Sequence, residues 1–140
     1  MNERYVLIDS NVFIALVAEE DALHKGAISS WENLKLSSSL LITSNVVISE
    51  TITVLSLRTG KLDALRFINM IYNSQITTVL RSNEEDELLA VAIFKKAESK
   101  NISFADCLTL ALMKVHQVST LLTFDVQLQK MAKKSGLSLF

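Results

Sequence analysis

The sequence predicts an α/β fold in which a central parallel sheet is covered by helices on both sides. Three observations lead there. Short, continuously apolar segments alternate with longer segments of helical pattern, the order that α/β folds show. The short segments lack polar alternation and several carry β-branched residues, which fits strands buried on both faces. No repeat or low-complexity stretch interrupts the alternation, and the 140 residues contain no proline and three glycines.

Tyr5–Ile8 is the first strand. Ser10 is the expected N-cap of a helix beginning at Asn11. Residues 23–36 form the next helix and residues 40–42 the second strand. Thr43 or Ser44 caps a helix running to about Arg58, and Gly60 fits its end. Lys61–Tyr72 is a further helix and Ile76–Leu80 the third strand. Asn83 followed by Glu84, Glu85 and Asp86 opens a helix through Ser99, a cap and then acids against the positive helix end. Ser103 starts a helix through Lys114. Residues 120–123 are the fourth strand, Asp125 opens the last helix to about Lys134, Gly136 lies near its end, and residues 137–140 are a candidate fifth strand.

One domain over residues 1–140 is expected from the length. Hydrophobic residues make up 49% of the chain, which suits a packed core rather than disorder. Lys and Arg number 14 against 15 Asp and Glu, for a net charge of −1. Proteins that live on nonspecific nucleic-acid contacts are usually basic. If nucleic acid is the partner, positive charge must be local or supplied by a metal. The single cysteine, Cys107, excludes an internal disulfide, and with no secretory signature it points to a reducing compartment. The apolar start Tyr5–Ile8 is too short for a signal peptide. The longest apolar runs, residues 12–18 and 88–94, have seven residues each, against about 20 for a membrane span. A soluble cytoplasmic protein is expected.

Four carboxylates stand out. Asp9 directly follows the first strand, where a parallel sheet places its ligands; a turn or capping aspartate is the plainer reading. Glu50 lies mid-helix, with Val46, Val47, Thr53, Val54 and Leu57 on its face. A glutamate on so apolar a face needs a partner, and an arginine or a metal would serve. Asp106 follows Ser103-Phe104-Ala105 in a capping-box pattern, and its helix-face neighbours Thr109, Leu110 and Met113 point inward. Asp125 ends the fourth apolar run and, taken alone, reads as the cap of the last helix.

The combination carries more than any member. All four acids can converge at one edge of one sheet, where they would repel each other and a divalent cation would resolve the repulsion. Magnesium and manganese prefer oxygen ligands. Cys107, His24 and His116 offer no zinc-ligand spacing. Such a site suits phosphodiester hydrolysis, with the metal polarising the phosphate and one carboxylate orienting or deprotonating a water.

At Ile8-Asp9-Ser10-Asn11-Val12-Phe13, Thr43-Ser44-Asn45-Val46-Val47-Ile48-Ser49-Glu50, Ser103-Phe104-Ala105-Asp106-Cys107-Leu108 and Leu122-Thr123-Phe124-Asp125 the chain resembles the PIN-domain family, specifically the VapC-like toxins of toxin–antitoxin pairs. The order and separation of these pieces also match, over essentially the whole chain. The resemblance implies a three-layer α/β/α sandwich and a magnesium- or manganese-dependent endoribonuclease acting on RNA. It implies Asp9, Glu50, Asp106 and Asp125 as the catalytic metal-site acids, with Asn11 and Thr123 as secondary polar positions. It further implies a homodimer and an antitoxin whose C-terminal segment enters the active-site groove. Many members carry another acid shortly after the fourth aspartate; here Val126-Gln127-Leu128 follows. The alternative is a catalytically inactive PIN-like module that binds RNA or protein.

Other folds with an aspartate after a strand fit less well. A phosphoryl-accepting receiver domain needs a second acid beside the first, and a phosphatase needs Asp-x-Asp, but position 11 is Asn. Isolated glycines exclude glycine-rich nucleotide loops. Lys130, Lys133 and Lys134 on the last helix read as a solvated face, with phosphate contact as the alternative, and Lys95, Lys96 and Lys100 read likewise. Trp31 reads as core or dimer contact, Cys107 as a small buried hydrophobe, and His24 and His116 as surface or cap residues.

Overall fold

The computed structural model describes residues 4–73, 76–98 and 100–140, the side chain of Thr77 apart. Its elements are β1 (Tyr5–Ile8), α1 (Ser10–Val17), α2 (His24–Leu36), β2 (Leu40–Ser44), α3 (Asn45–Arg58), α4 (Lys61–Tyr72), β3 (Ile76–Leu80), α5 (Glu84–Lys96), α6 (Phe104–Val115), β4 (Thr120–Leu122), α7 (Val126–Lys134) and β5 (Ser138–Leu139). The sheet has five strands in the order β3-β2-β1-β4-β5, and every pairing is parallel.

The central strands β1 and β4 are largely apolar because both of their faces are covered. Val6 and Ile8 of β1 pack with Val12 and Phe13 of α1, Leu34 of α2, Leu55 of α3 and Phe67 of α4. Leu7, between them in sequence, points the other way, into a cluster with Leu112 and Met113 of α6 and Leu128 of α7. This is the side-chain alternation of a strand, with an apolar partner on each side. Ala90 of α5 and Cys107, Leu108 and Ala111 of α6 join the two helices of that second layer. The three-layer α/β/α sandwich with a central parallel sheet is therefore present.

Most element ends match the sequence reading, and the departures have local causes. The first helix is capped by Asp9 rather than Ser10: Asp9 is extended and its side chain accepts from the Ser10 N–H. Both residue types cap well, and Ser10 is drawn elsewhere, as described below. β2 runs on to Ser44 because Thr43 and Ser44 pair with Val79 and Leu80 of β3; Ser44 then caps α3 through the Val47 N–H at 3.1 Å. The helix expected to reach Ser99 ends at Lys96, and Ser99 itself lies outside the described residues. β4 stops at Leu122, which leaves Thr123 in the loop that follows. β5 covers only Ser138–Leu139. Gly60 joins α3 to α4 at φ 112°, a conformation that side chains with a Cβ avoid.

Trp31 is a core residue, its ring meeting Phe13 edge-on at 6.3 Å between centroids. Cys107 is fully buried. His24 Nδ1 lies 2.7 Å from the carbonyl oxygen of Ala15, and His116 forms the C-cap of α6. Among the described residues no helix is long and apolar enough to cross a membrane.

Candidate functional site

The strand order locates the site before any side chain is considered. From β1 the chain adds β2 and β3 on one side, then returns to place β4 and β5 on the other. In an open parallel sheet, the crevice beyond the carboxyl ends at such a reversal is where ligands bind. Asp9 directly follows β1. Asp125 follows β4 at the N-cap of α7. Glu50 comes from α3, which follows β2, and Asp106 from the first turn of α6. All four acids, with Ser10, Asn11, Asn101 and Ser103, line one open pocket of about 310 Å3. The structure thus brings together every acid singled out in the sequence, and Asn11 with them.

Thr123 lies beneath the pocket and ties its two sides together. Its buried hydroxyl donates to Asp9 Oδ2 at 2.7 Å and accepts from Asn11 Nδ2 at 3.0 Å and from the Asp125 N–H at 3.1 Å. Asn11 Nδ2 also reaches Asp9 Oδ2 at 3.1 Å, while Asn11 Oδ1 accepts from the Phe124 N–H at 2.8 Å. Asp9 and Asp125, on neighbouring strand ends, are thereby held by one hydroxyl and one amide. The sequence marked Asn11 and Thr123 only as secondary. The geometry makes them the residues that position two of the acids.

Glu50 departs from its sequence reading. It is exposed, and its Oε2 accepts from the Ser10 hydroxyl at 2.7 Å. Helix α3 buries Val47, Ile48, Thr51 and Leu55, while Thr53 and Leu57 on Glu50's face are exposed, and Glu50 opens on the pocket. Ser10, read only as a cap, and Asn101 are polar lining residues that sequence reasoning missed. The adjacent Asp9 and Ser10 were both good caps, and only the contact with Glu50 separates their roles. The capping readings of the other acids hold as well: Asp106 forms a capping box with Ser103, and Asp125 Oδ1 accepts from the Leu128 N–H at 3.0 Å.

The acids perturb one another. Burial pushes the Asp9 carboxyl up from 3.8 to about 6, hydrogen bonds from Thr123 and Ser10 pull it down, and the charges of Asp106 and Glu50 raise it. Burial also raises Asp106, opposed by its bond to the Ser103 backbone and reinforced by Asp125 and Glu50. Among the described residues no lysine or arginine pairs with any of the four. An all-oxygen set of acids that repel each other is the donor chemistry that suits magnesium or manganese. As the side chains stand, no three of the described His, Cys, Asp or Glu residues are grouped closely enough to hold one ion. Holding it requires rotation of a carboxylate, and Asp106 has the longest cap bond to give up, 3.3 Å to the Ser103 N–H.

Thr123→Val removes the strongest influence lowering the Asp9 pKa. A hydrogen bond to a charged group contributes about 1.5–3 kcal/mol, so the Asp9 titration is expected to move up by roughly one unit. The acid form then persists to higher pH. An NMR titration with carboxyl-labelled aspartate reads this directly; an unmoved midpoint would show that Thr123 does not govern Asp9.

A family model described as PIN domain matches residues 6–134. No curated protein matches the sequence. Among solved structures, the chain is similar to VapC20 of Mycobacterium tuberculosis, a sarcin–ricin loop cleaving toxin, with TM-score 0.78 and 23% identity over 90% of this chain and 94% of that one. It is similar to VapBC2 from Rickettsia felis, bound to a promoter DNA fragment, with TM-score 0.69 and 14% identity over 97% of both chains. It is also similar to FitAcB from Neisseria gonorrhoeae, with TM-score 0.66 and 19% identity over 96% of both.

Proposed function

Since the chain belongs to the PIN domain family, we propose that it is a magnesium- or manganese-dependent endoribonuclease and the toxin of a toxin–antitoxin pair. One observation carries the nuclease reading. Carboxylates from four separate elements open on a single pocket at the switch point of the sheet, and among the described residues no basic side chain lines it. The toxin reading is supported by the VapC-like motifs and by the likeness to a toxin that cleaves the sarcin–ricin loop. An antitoxin partner and a homodimer are part of the same reading. Leu88, Val91 and Phe94 of α5 are exposed in line with Phe104 of α6, an apolar face of the kind that marks contact with another chain.

In this mechanism Asp9, Glu50, Asp106 and Asp125 are the groups that would hold the ion. When bound, it polarises the scissile phosphate, lowers the pKa of water and steadies the leaving oxygen. Asp9 is held in place by Thr123, Asn11 and the Ser10 N–H, so its orientation is set before any ligand arrives. Glu50 is held by a single hydroxyl contact to Ser10 and is open to solvent, which suits it to pass a proton to bulk water.

The test is to incubate the protein with structured and single-stranded RNAs in manganese, in magnesium and in chelator, beside Asp106→Asn. Cleavage that needs metal and is absent from the variant is expected. Cleavage that persists in chelator or in the variant would sink the reading. A second reading, a catalytically inactive module that binds RNA or protein, is favoured by the ungrouped placement of the acids. Millimolar metal separates the two: an ion bound by the native state raises the melting temperature, and a folded protein whose melting temperature does not move in metal belongs to the second.

A further inference from the structure

A second and larger cavity, about 630 Å3, lies between the end of α5 and the outer side of α7. Its floor includes Ile93 and Met131, which also pack into the core. Its rim carries Lys96 of α5 and Lys130, Lys133 and Lys134 of α7 against one acid, Glu98. All four lysines are exposed, and among the described residues none forms an ion pair. On a chain of net charge −1, this is a concentrated cationic rim around a concave surface. Lys130 and Lys134 stand one helical turn apart on one face, about 6 Å, and Lys96 comes from the facing helix.

The groove adjoins the acid pocket along the chain. Gln127 lines the groove and is two residues from Asp125; Glu98 lines it and is three from Asn101, which lines the acid pocket. At about 3.8 Å per residue, neither link exceeds about 12 Å. A pocket of four carboxylates repels a polyanion, and cations immediately outside it offset that repulsion whether or not an ion is bound within. We propose that this groove is the track that holds the phosphate backbone of the RNA substrate beside the acid pocket, with Lys96, Lys130 and Lys134 as phosphate contacts. The assignment rests on the nuclease reading. The apolar floor suits the sugar and base edges, and the rim supplies local positive charge that the overall composition lacks.

The experiment measures binding without cleavage. A fluorescein-labelled 20-nucleotide single-stranded RNA is titrated with the intact chain in chelator, followed by anisotropy at several salt concentrations. Lys130→Gln/Lys134→Gln is expected to weaken binding roughly tenfold near 0.1 M salt. It should also reduce the slope of log affinity against log salt by about 1.4, or 0.7 for each lost phosphate contact. Lys25→Gln/Lys61→Gln, exposed changes on α2 and α4, should leave both unchanged. Absent RNA binding by the unaltered chain, unchanged binding by the α7 variant, or an equal loss in the control variant each overturns the proposal. So does loss of deca-glutamate binding with RNA binding intact, which assigns the groove to an acidic peptide. Hydrolysis of bis(4-nitrophenyl) phosphate in manganese, a substrate too small to need the groove, keeps the two readings apart. The α7 variant should retain it and Asp106→Asn should lose it. Its absence from the unaltered chain counts against the nuclease alone, while the groove stands or falls on the titration.

Discussion

Asp9→Asn is expected to lower metal-dependent RNA cleavage at least about a hundredfold and yet to make the metal-free protein more stable at neutral pH. The two effects share one cause. The folded protein holds the Asp9 proton more tightly than the unfolded chain, with a pKa of about 6 against 3.8. Below pH 3.8 both states are protonated and the residue is neutral towards stability. Between 3.8 and about 6 the burden of ionising it grows, and above that it is fully present, on the order of 3 kcal/mol at about 1.4 kcal/mol per unit. Asparagine carries no charge to bury. The exchange loses something, because Oδ2 accepts from both Thr123 and Asn11 and an amide nitrogen cannot accept from either. Two lost hydrogen bonds cost about 2 kcal/mol together. A net gain of about 1 kcal/mol remains at pH 7, turning into a loss near pH 4. Urea titrations in chelator at the two pH values check it; a variant no more stable than the unaltered chain at pH 7 would mean that Asp9 is not under electrostatic load.

Phe13→Ala should be the most damaging single change to the fold, at about 3–5 kcal/mol. Phe13 is fully buried. Its ring meets Phe67 of α4 at 5.2 Å and Trp31 of α2 at 6.3 Å, so it joins three helices of one layer. A domain has about 5–15 kcal/mol in total, and the loss is a large share of it. The same helix carries Ser10 and Asn11, so loosening it also loosens the groups that hold Glu50 and Asp9. Phe94→Ala is the matching control. Phe94 is 48% exposed and touches Phe104 across an open surface, and its loss should stay near 1 kcal/mol or below. Equal losses for the two variants, read from denaturant midpoints, would contradict this account of the core.

The sheet was legible in the sequence because burial on both faces leaves a strand with no polar face. Tyr5–Ile8 and Ile76–Leu80 matched to the residue. Asp9 and Asp125 were legible for a related reason, since a carboxylate ending an apolar run stands out, whereas Glu50 and Asp106 were singled out by the apolar helix faces they share. What escaped depends on partners distant in the chain. Whether Asp9 or Ser10 caps α1 is decided by Glu50, 40 residues on. The positioning role of Thr123 rests on Asp9, 114 residues away. Helical periodicity placed Glu50 inward because Leu57 on its face is apolar. Yet the buried face of α3 is the one with Val47, Ile48, Thr51 and Leu55, and Leu57 is exposed. The α7 lysines read as a solvated face, and on their own helix they are one. Their facing neighbour Lys96 is brought beside them only by the packing of α5 and α7 against the core.

The strand order also sets when the site comes into being. β1 is the first strand made, yet it sits in the middle of the sheet, and one of its neighbours is β4, paired through Val6 and Thr120. The loop that must close for that pairing spans most of the chain, and such closures are slow. A growing chain can pair β1 with β2 early, but Thr123 is added 114 residues after Asp9. Until then Asp9 lacks its main anchor and the acid pocket lacks a wall. The acid pocket is therefore complete only once β4 has joined β1, a step that waits on the longest loop closure between central strands.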